Sequence, residues 1–390
     1  MKRTIIFISR ACQLAYSLLI AIIIIVTFMS SQKALAVVDP LSFSNNRFGI
    51  HILFPEELEA AGKLVNSNGG DWGYVTIPIQ STDRNLKKWQ KFMDEAKTLH
   101  LIPIIRLATF ASGNLWTKPT IFDSIDFANF LNSLEWPVKN RYIIVYNEPN
   151  SYLEWGGVVD AAGYAQELSH TIDAFKRVND DFFIISAGLD SYAPPRGSLY
   201  QNSYQFLLEM DRVVPGIFKR IDGFASHSYP ANNFSQSPLV SNGGGIASYR
   251  QELFFIKSRF GVNNLPVFIT ETGWQQNYVG QSQTALFYNY AFKQVWQDKN
   301  IVAITPFVLN GQNSAFSGFS LINNDGRVSP VFSSIASLAK VSGQPPLTEP
   351  VEFLSKNIWR PVKNFQFMET KSHVITISPP WKAFLKWFFG

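Results

Sequence analysis

Eight short apolar runs, each followed by a longer segment of mixed polarity, are the feature of this sequence that most restricts its fold. The runs are rich in Ile, Val, Phe and Tyr, as strands are, and they recur over about 265 residues. The runs are FGIHI (48–52), WGYVTIPI (72–79), LIPIIRLA (101–108), YIIVYNE (142–148), FFIISAGL (182–189), DGFASHSY (222–229), VFITETGW (267–274) and AITPFVLNG (303–311). The clearest helix-like segments between them cover 86–99, 126–134, 161–178 and 283–297.

This alternation of strands and helices predicts right-handed βαβ units and a parallel sheet. Eight repeats match a closed (β/α)₈ TIM barrel better than an open doubly wound sheet. No G-x-G-x-x-G sequence follows the first run, so the usual signature of the open sheet is missing. We therefore predict an α/β protein with a barrel over residues 37–345 and a short C-terminal extension over 346–390, which starts within the Pro-rich break VSGQPPLTEP (341–350).

The first 36 residues read as an export segment. A basic start precedes an apolar core from about residue 11 to residue 29, and small residues stand at Ala34 and Ala36. We expect a signal peptide that is cleaved after Ala36, which gives a secreted or cell-envelope protein. Because the apolar core is longer than usual, an uncleaved N-terminal membrane anchor is the alternative.

Charge and cysteine content exclude several classes of function. Of the formal net charge of +5, four positive charges lie in the first 36 residues, so residues 37–345 carry about −2 once the basic C-terminal part is also set aside. Such a body lacks the basic surface that nucleic acid requires, and no nucleic-acid partner is expected. The only cysteine, Cys12, lies in the export segment, which excludes disulfides and cysteine catalysis from the rest of the chain.

Polar side chains stand at the ends of most runs. In a barrel of parallel strands these ends meet at one rim, which is where active sites lie, so we expect the side chains to gather there. Because Pro149 disfavours helical backbone at the residue before it, we expect Glu148 to be extended. The residues are Arg106 in run three, Asn147 and Glu148 in run four, His227 and Tyr229 in run six, Glu271 in run seven and Asn310 in run eight.

Two carboxyl groups across a barrel mouth are what the cleavage of a glycosidic bond needs, one protonated and the other ionised. Together YNEPN (146–150), SHSYP (226–230) and ITETGW (269–274) resemble the clan A glycoside hydrolases, the superfamily of cellulases, mannanases and xylosidases. The resemblance covers residues 48 to about 335. It implies that Glu148 is the acid/base and that Glu271 is the nucleophile. It assigns Asn147 to the sugar 2-hydroxyl and Tyr229 to a hydrogen bond with the nucleophile, with His227 and Arg106 supporting the pocket.

The residues that would hold the sugar ring are less clearly marked. Many clan members carry a Trp at the end of strand eight as the floor of the sugar subsite, whereas this chain offers Phe307 and Asn310. Trp155 and Trp274 follow the two glutamates closely, so we expect them to stack on sugar rings, although most Trp residues are simply core.

We predict no metal site and no cofactor. A metal-dependent hydrolase of this fold would carry a His-x-His pair of metal ligands on strand one, where this chain has only His51.

The sequence therefore predicts an exported retaining glycoside hydrolase that degrades β-linked polysaccharide or oligosaccharide by double displacement. The alternative is an inactive or membrane-anchored barrel of the cell envelope that only binds glycans. Both glutamates are present, which argues against an inactive barrel.

Overall fold

The computed structural model describes residues 37–194, 196–240, 244–311 and 314–348. The predicted export segment and most of the predicted C-terminal extension lie outside these ranges. Within the described ranges, no helix is both long and apolar enough to cross a membrane.

Eight parallel strands follow one another along the chain, with helices between them. The strands are β1 (Gly49–His51), β2 (Gly73–Gln80), β3 (Leu101–Ala108), β4 (Arg141–Ile144), β5 (Phe182–Ile185), β6 (Phe224–His227), β7 (Val267–Glu271) and β8 (Ile301–Ile304). The helices of eight or more residues are α1 (Leu58–Val65), α2 (Leu86–Thr98), α3 (Ile121–Asn132), α4 (Ala161–Val178), α5 (Ser203–Val213), α6 (Ser248–Phe260), α7 (Gln281–Tyr290) and α8 (Pro330–Ser337).

The strands form a ring. Strands β1 to β5 pair in order in one sheet and β6 to β8 in another. Parallel bridges join the two sheets at both edges, between Ile185 and Gly223 and between Phe48 and Ile304. The predicted (β/α)₈ barrel is therefore confirmed as the fold class.

Both faces of the strands are buried, which explains why the runs are almost continuously apolar. In β4, Tyr142 and Ile144 point into the barrel, where the Tyr142 ring lies 5.0 Å from the ring of Phe183. Ile143 and Val145 point the other way and pack under the helices. This alternation follows from the two-residue period of a strand.

Several helices begin at side chains that cap free backbone N–H groups. Asp160 precedes α4 and accepts a hydrogen bond of 2.7 Å from the Gly163 backbone N–H. Asn85 plays the same part for α2, where it accepts from the Lys88 N–H at 3.0 Å. Both helices start at the residue that the sequence pattern indicates, because the cap and the apolar periodicity agree there.

Some predicted strands are too long at their carboxyl ends. The fourth run was expected to stay extended through Glu148, but β4 ends at Ile144. Tyr146 and Glu148 have φ values of 67° and 31°, so the chain turns at both residues and the expectation of an extended Glu148 is wrong. Pro149 disfavours the right-handed helical region at the preceding residue, and the chain adopts left-handed backbone instead.

Candidate active site

The Glu271 carboxyl group lies at the end of β7 and is buried at the mouth of the barrel. Its Oε1 accepts a hydrogen bond of 2.7 Å from Arg106 Nη1, and its Oε2 accepts one of 3.1 Å from the Tyr229 hydroxyl. Burial opposes the charge on this carboxyl, but His227 and Arg106 outweigh burial and lower the pKa of Glu271 below its usual value. The geometry therefore favours an ionised Glu271.

A bulge turns Glu271 into the barrel. Strands β6 and β7 pair Ser226 with Ile269 but His227 with Glu271, so Thr270 is an extra residue in β7. Without this bulge Glu271 would share a face with Ile269, which packs under the helices.

Glu148 lies in the loop after β4 and contacts His227. The Glu148 Oε1 atom is 2.7 Å from His227 Nδ1, and the same nitrogen is 3.8 Å from Glu271 Oε2. Burial disfavours the charged imidazole, but Glu271 and Glu148 outweigh it and raise the pKa of His227. His227 therefore tends to keep a proton between the two carboxyl groups.

The His227 ring packs directly against the backbone of Gly188. A Cβ atom added at Gly188 would lie 2.1 Å from His227 Cδ2 and 2.4 Å from Nε2, too close for any side chain. The backbone carbonyl of Gly188 also accepts a hydrogen bond of 3.1 Å from the Glu148 N–H. The short link after β5 therefore contacts both Glu148 and His227.

Arg106 connects the nucleophile candidate to Asn147. Its Nη1 atom donates to Asn147 Oδ1 at 2.6 Å in addition to Glu271. Arg106 shares the inward face of β3 with Ile104, so the strand carries its guanidinium directly into the mouth of the barrel. The structure thus brings together Arg106, Asn147, Glu148, His227, Tyr229 and Glu271 from the residues that the sequence singled out.

These residues line a cavity of about 320 Å³, which is in the range of small-molecule sites. Two further acids in its wall were not anticipated, Glu154 and Asp190. Burial and the charge of Glu148 raise the pKa of Glu154 to about 8 and that of Asp190 to about 6. A sequence signal did exist, because each acid follows the end of a predicted strand, but an acid in a loop is too common to single out.

Aromatic rings also line the cavity. Phe307 follows β8 and lines the cavity with Phe316, whose ring lies 4.9 Å away edge to face. Tyr192 lines the cavity from the loop after β5 and is 47% exposed, so its ring can meet a ligand. Asn310, in contrast, is exposed and is not part of the cavity wall.

Trp155 and Trp274 do not lie in the cavity wall, so the expectation that they stack on sugar rings is wrong. Both side chains are 1% exposed. Trp155 packs edge to face against Tyr146 and Tyr164. Trp274 packs among rings of the core and donates its indole N–H to the Gln236 carbonyl at 2.8 Å. Their ring faces are covered by protein, so neither can offer one to a sugar.

Among the residues that the structure describes, one group of side chains has atoms that could serve as ligands to a metal ion. One ligand atom each of Glu148, His227 and Glu271 lies within 4.8 Å of the others. However, the Arg106 guanidinium already donates a hydrogen bond of 2.7 Å to Glu271 Oε1. Its fixed positive charge next to these three side chains disfavours the binding of a metal cation between them.

His51 lies at the end of β1, next to Glu271, and is fully buried. Its Nε2 atom is 3.9 Å from Glu271 Oε1. Burial and the nearby Arg106 charge lower the pKa of His51 to about 3, so the ring is neutral and adds no positive charge to the site.

No protein-family model matches the sequence, and no curated protein matches it. Solved structures do match. The family 39 glycoside hydrolase from the gut symbiont Bacteroides cellulosilyticus WH2 has a TM-score of 0.53 at 16% identity, over 78% of this chain and 64% of that one. A GH5_18 protein from Bifidobacterium longum subsp. infantis has a TM-score of 0.54 at 13% identity, over 76% of this chain and 79% of that one. An endoglucanase from the hyperthermophilic Thermotoga maritima has a TM-score of 0.52 at 13% identity, over 76% of this chain and all of that one.

These similarities define the class of fold. The chain has the (β/α)₈ barrel of glycoside hydrolases, and the resemblance to clan A that its motifs carry is confirmed at the level of the fold. At 10–16% identity the likeness extends no further than the fold, so the chemistry has to be argued from the site.

Proposed function

We propose that this protein is a retaining glycoside hydrolase that acts on β-linked carbohydrate, with Glu271 as nucleophile and Glu148 as acid/base. The observation that carries the proposal is the spacing of the pair, because one oxygen of each carboxyl group lies within 4.8 Å of the other. Retaining enzymes hold their carboxyl groups about 5–5.5 Å apart, whereas inverting enzymes need roughly 6.5–9.5 Å to admit a water.

The surroundings of the pair suit these two roles. Glu271, stabilised as an anion by Arg106 and Tyr229, attacks the anomeric carbon while the bond to the leaving oxygen breaks. The leaving oxygen takes, through Glu148, the proton that Glu148 and His227 share across their 2.7 Å contact. Glu148 then removes a proton from water, and the resulting hydroxide replaces Glu271 at the anomeric carbon, so the configuration is retained.

The test of this function is the release of reducing sugar from a panel of β-1,3-glucan, β-1,4-glucan, mannan, xylan and galactan. We expect at least one member to be cut, with a β-configured first product by NMR and no loss of activity after treatment with a chelator. A folded sample that binds a member of the panel without cutting any would support the glycan-binding alternative. Loss of activity with chelator, restored by a divalent ion, would instead support a metal site at Glu148, His227 and Glu271.

We further propose that the protein is exported and that its mature form begins at Val37. The support is the sequence KALA (33–36), which places small residues at the two positions that signal peptidase reads. N-terminal sequencing of the protein recovered outside the cytoplasmic membrane should give Val37 first. A membrane-bound form that starts at Met1 would establish the anchor instead.

A further inference from the structure

The loop after β6 contains a strained turn next to the cavity. Three consecutive residues, Asn232, Asn233 and Phe234, have positive φ values of 57°, 54° and 61°. Asn tolerates this left-handed backbone as a single residue, but a run of such residues is unfavourable, and a bulky ring such as Phe is poorly suited to it. Strain of this kind persists only where the surrounding structure holds it, and it is concentrated at functional sites. The turn therefore needs contacts that maintain it.

The loop after β7 supplies these contacts. The Phe234 carbonyl accepts a hydrogen bond of 3.0 Å from the Gln275 backbone N–H, and the Gln236 carbonyl accepts one of 2.8 Å from the Trp274 indole N–H. Both donors belong to buried residues. They lie three and four positions after Glu271, so the strained turn is tied to the segment that carries the nucleophile candidate.

The turn brings the Phe234 ring into the cavity wall and against the ring of Tyr229. The two rings meet edge to face with their centroids 5.0 Å apart. Phe319 packs edge to face on both, at 5.2 Å from Phe234 and 6.1 Å from Tyr229. The Tyr229 hydroxyl donates to Glu271 Oε2 at 3.1 Å. Because a hydroxyl moves with its ring, the place of this donor depends on the rings that pack on Tyr229.

We propose that Phe234 is a positioning residue, which the left-handed turn holds against Tyr229 so that the Tyr229 hydroxyl stays on the Glu271 carboxyl group. This inference rests on the proposed glycosidase function. A fixed donor on one oxygen keeps the carboxyl group in one orientation for attack, and a misplacement of about 1 Å can lower a rate on the order of 100-fold. Loss of the Phe234 ring should therefore lower kcat more than it raises KM.

The experiment measures kcat and KM on an aryl β-glycoside that the wild type cleaves. Phe234→Leu keeps an apolar side chain but removes the ring that packs on Tyr229. We expect its kcat to fall about tenfold or more and its KM to stay within about threefold of the wild type. In a Tyr229→Phe background the hydroxyl is already absent, so Phe234→Leu should lower kcat by no more than about twofold further.

A second pair of variants tests the turn itself. The Asn233 side chain is exposed and lies outside the cavity wall. Asn233→Val places a β-branched residue, which resists left-handed backbone, at a φ of 54°, so the turn should open and kcat should fall as it does in Phe234→Leu. Asn233→Gly adopts the same φ without strain and should keep kcat within about threefold of the wild type.

A matched control separates positioning from stability. Phe255 is another half-buried Phe that packs on a tyrosine, with its ring centroid 4.9 Å from that of Tyr204, and it lies outside the cavity wall. Phe255→Leu should lower Tm and leave kcat unchanged. If Phe234→Leu does not fold, Asn233→Val takes its place in the comparison with Tyr229→Phe.

The outcomes for the two proposals are distinct. Turnover by the wild type tests the glycosidase function itself. With that turnover established, wild-type kcat in folded Phe234→Leu overturns the role of Phe234. A loss of kcat that is as large in the Tyr229→Phe background also overturns it, because the ring would then act without the Tyr229 hydroxyl. Equal kcat in folded Asn233→Val and Asn233→Gly would overturn the role of the turn.

Discussion

Glu148 and Glu271 have different neighbours, and the difference supports the separate roles proposed for them. Glu271 is held by two donors, Arg106 and Tyr229, at 2.7 and 3.1 Å. Burial and the two nearby carboxylates, Glu271 first, raise the pKa of Tyr229 well above its usual value, so its hydroxyl keeps the proton that it donates. Glu148 instead pairs with the titratable His227. The two donors to Glu271 therefore support the proposal that it is the nucleophile.

Alanine substitution at the two positions should have unequal effects. Glu271→Ala removes the group that both displacement steps of the proposed mechanism need, so kcat should fall on the order of 10⁴-fold or more on every substrate. Glu148→Ala should cost roughly 10²–10⁴-fold with a poor leaving group. With an activated aryl glycoside, which needs little protonation, the first step should be much less affected. Steady-state kinetics on the two kinds of substrate measure both losses.

Added azide gives the matching control. It should restore turnover to Glu148→Ala on the activated substrate and give a β-configured glycosyl azide, because the small anion replaces the water that Glu148 would have activated. Equal losses for both variants on all substrates would contradict the separate roles assigned to Glu148 and Glu271. An α-configured azide from Glu148→Ala would show that the two roles are reversed.

At the same scale, the sequence identified the polar side chains of the site better than the aromatic ones. Asn147, Glu148 and Glu271 end apolar runs, and the barrel brings such ends together. Trp155 and Trp274 follow the glutamates just as closely but turn into the core. Distance along a loop gives no information about which way a side chain points, and a large apolar ring gains most where it is fully buried.

At the scale of the elements, the short link after β5 should be needed for full activity. Gly188→Ala places a methyl group 2.1 Å from His227 Cδ2. Overpacking of this kind costs about 1–3 kcal/mol, and the ring can only escape by leaving Glu148. We expect kcat/KM to fall at least tenfold with a modest loss of Tm.

The control for this variant is Gly62→Ala in α1, where the nearest atom to an added Cβ is at 3.8 Å. It should leave kcat/KM unchanged and raise Tm slightly, since Ala is the better helix former. Wild-type activity in a folded Gly188→Ala sample would show that the position of His227 is not needed.

Strand order could be predicted from the sequence, but local register could not. The eight runs appear as eight strands in the expected order because each alternates between two buried faces. The bulge at Thr270 has no sequence signature, since Thr is a common strand residue. Yet that one extra residue decides whether Glu271 faces the cavity or the helices, so the site depends on a feature that only the structure reveals.

At the scale of the whole molecule, buried titratable groups should make the protein most stable on the acid side of neutrality. Burial raises the pKa of Glu57 and of Glu154 from 4.5 to about 8. Between these values the folded chain holds two protons that the unfolded chain has released, so the free energy of unfolding falls as pH rises. On the acid side, His51 and Glu271 have lowered pKa values, and the unfolded chain takes up their protons first, so stability falls as pH drops.

We therefore expect Tm to be highest near about pH 5 and to decrease steadily towards pH 8, measured by calorimetry in buffers of constant ionic strength. The double variant Glu57→Gln with Glu154→Gln tests the cause. The amide introduced by Glu57→Gln can still accept the Leu53 and Phe54 backbone N–H groups, which Glu57 Oε1 binds at 3.3 and 3.2 Å, but neither new amide titrates. The decrease in Tm between pH 5 and pH 8 should shrink in this variant, because the two extra protons of the folded state are gone. A Tm that rises from pH 5 to pH 8 in the wild type, or an equal decrease in the variant, would mean that these two acids are ionised in the folded protein.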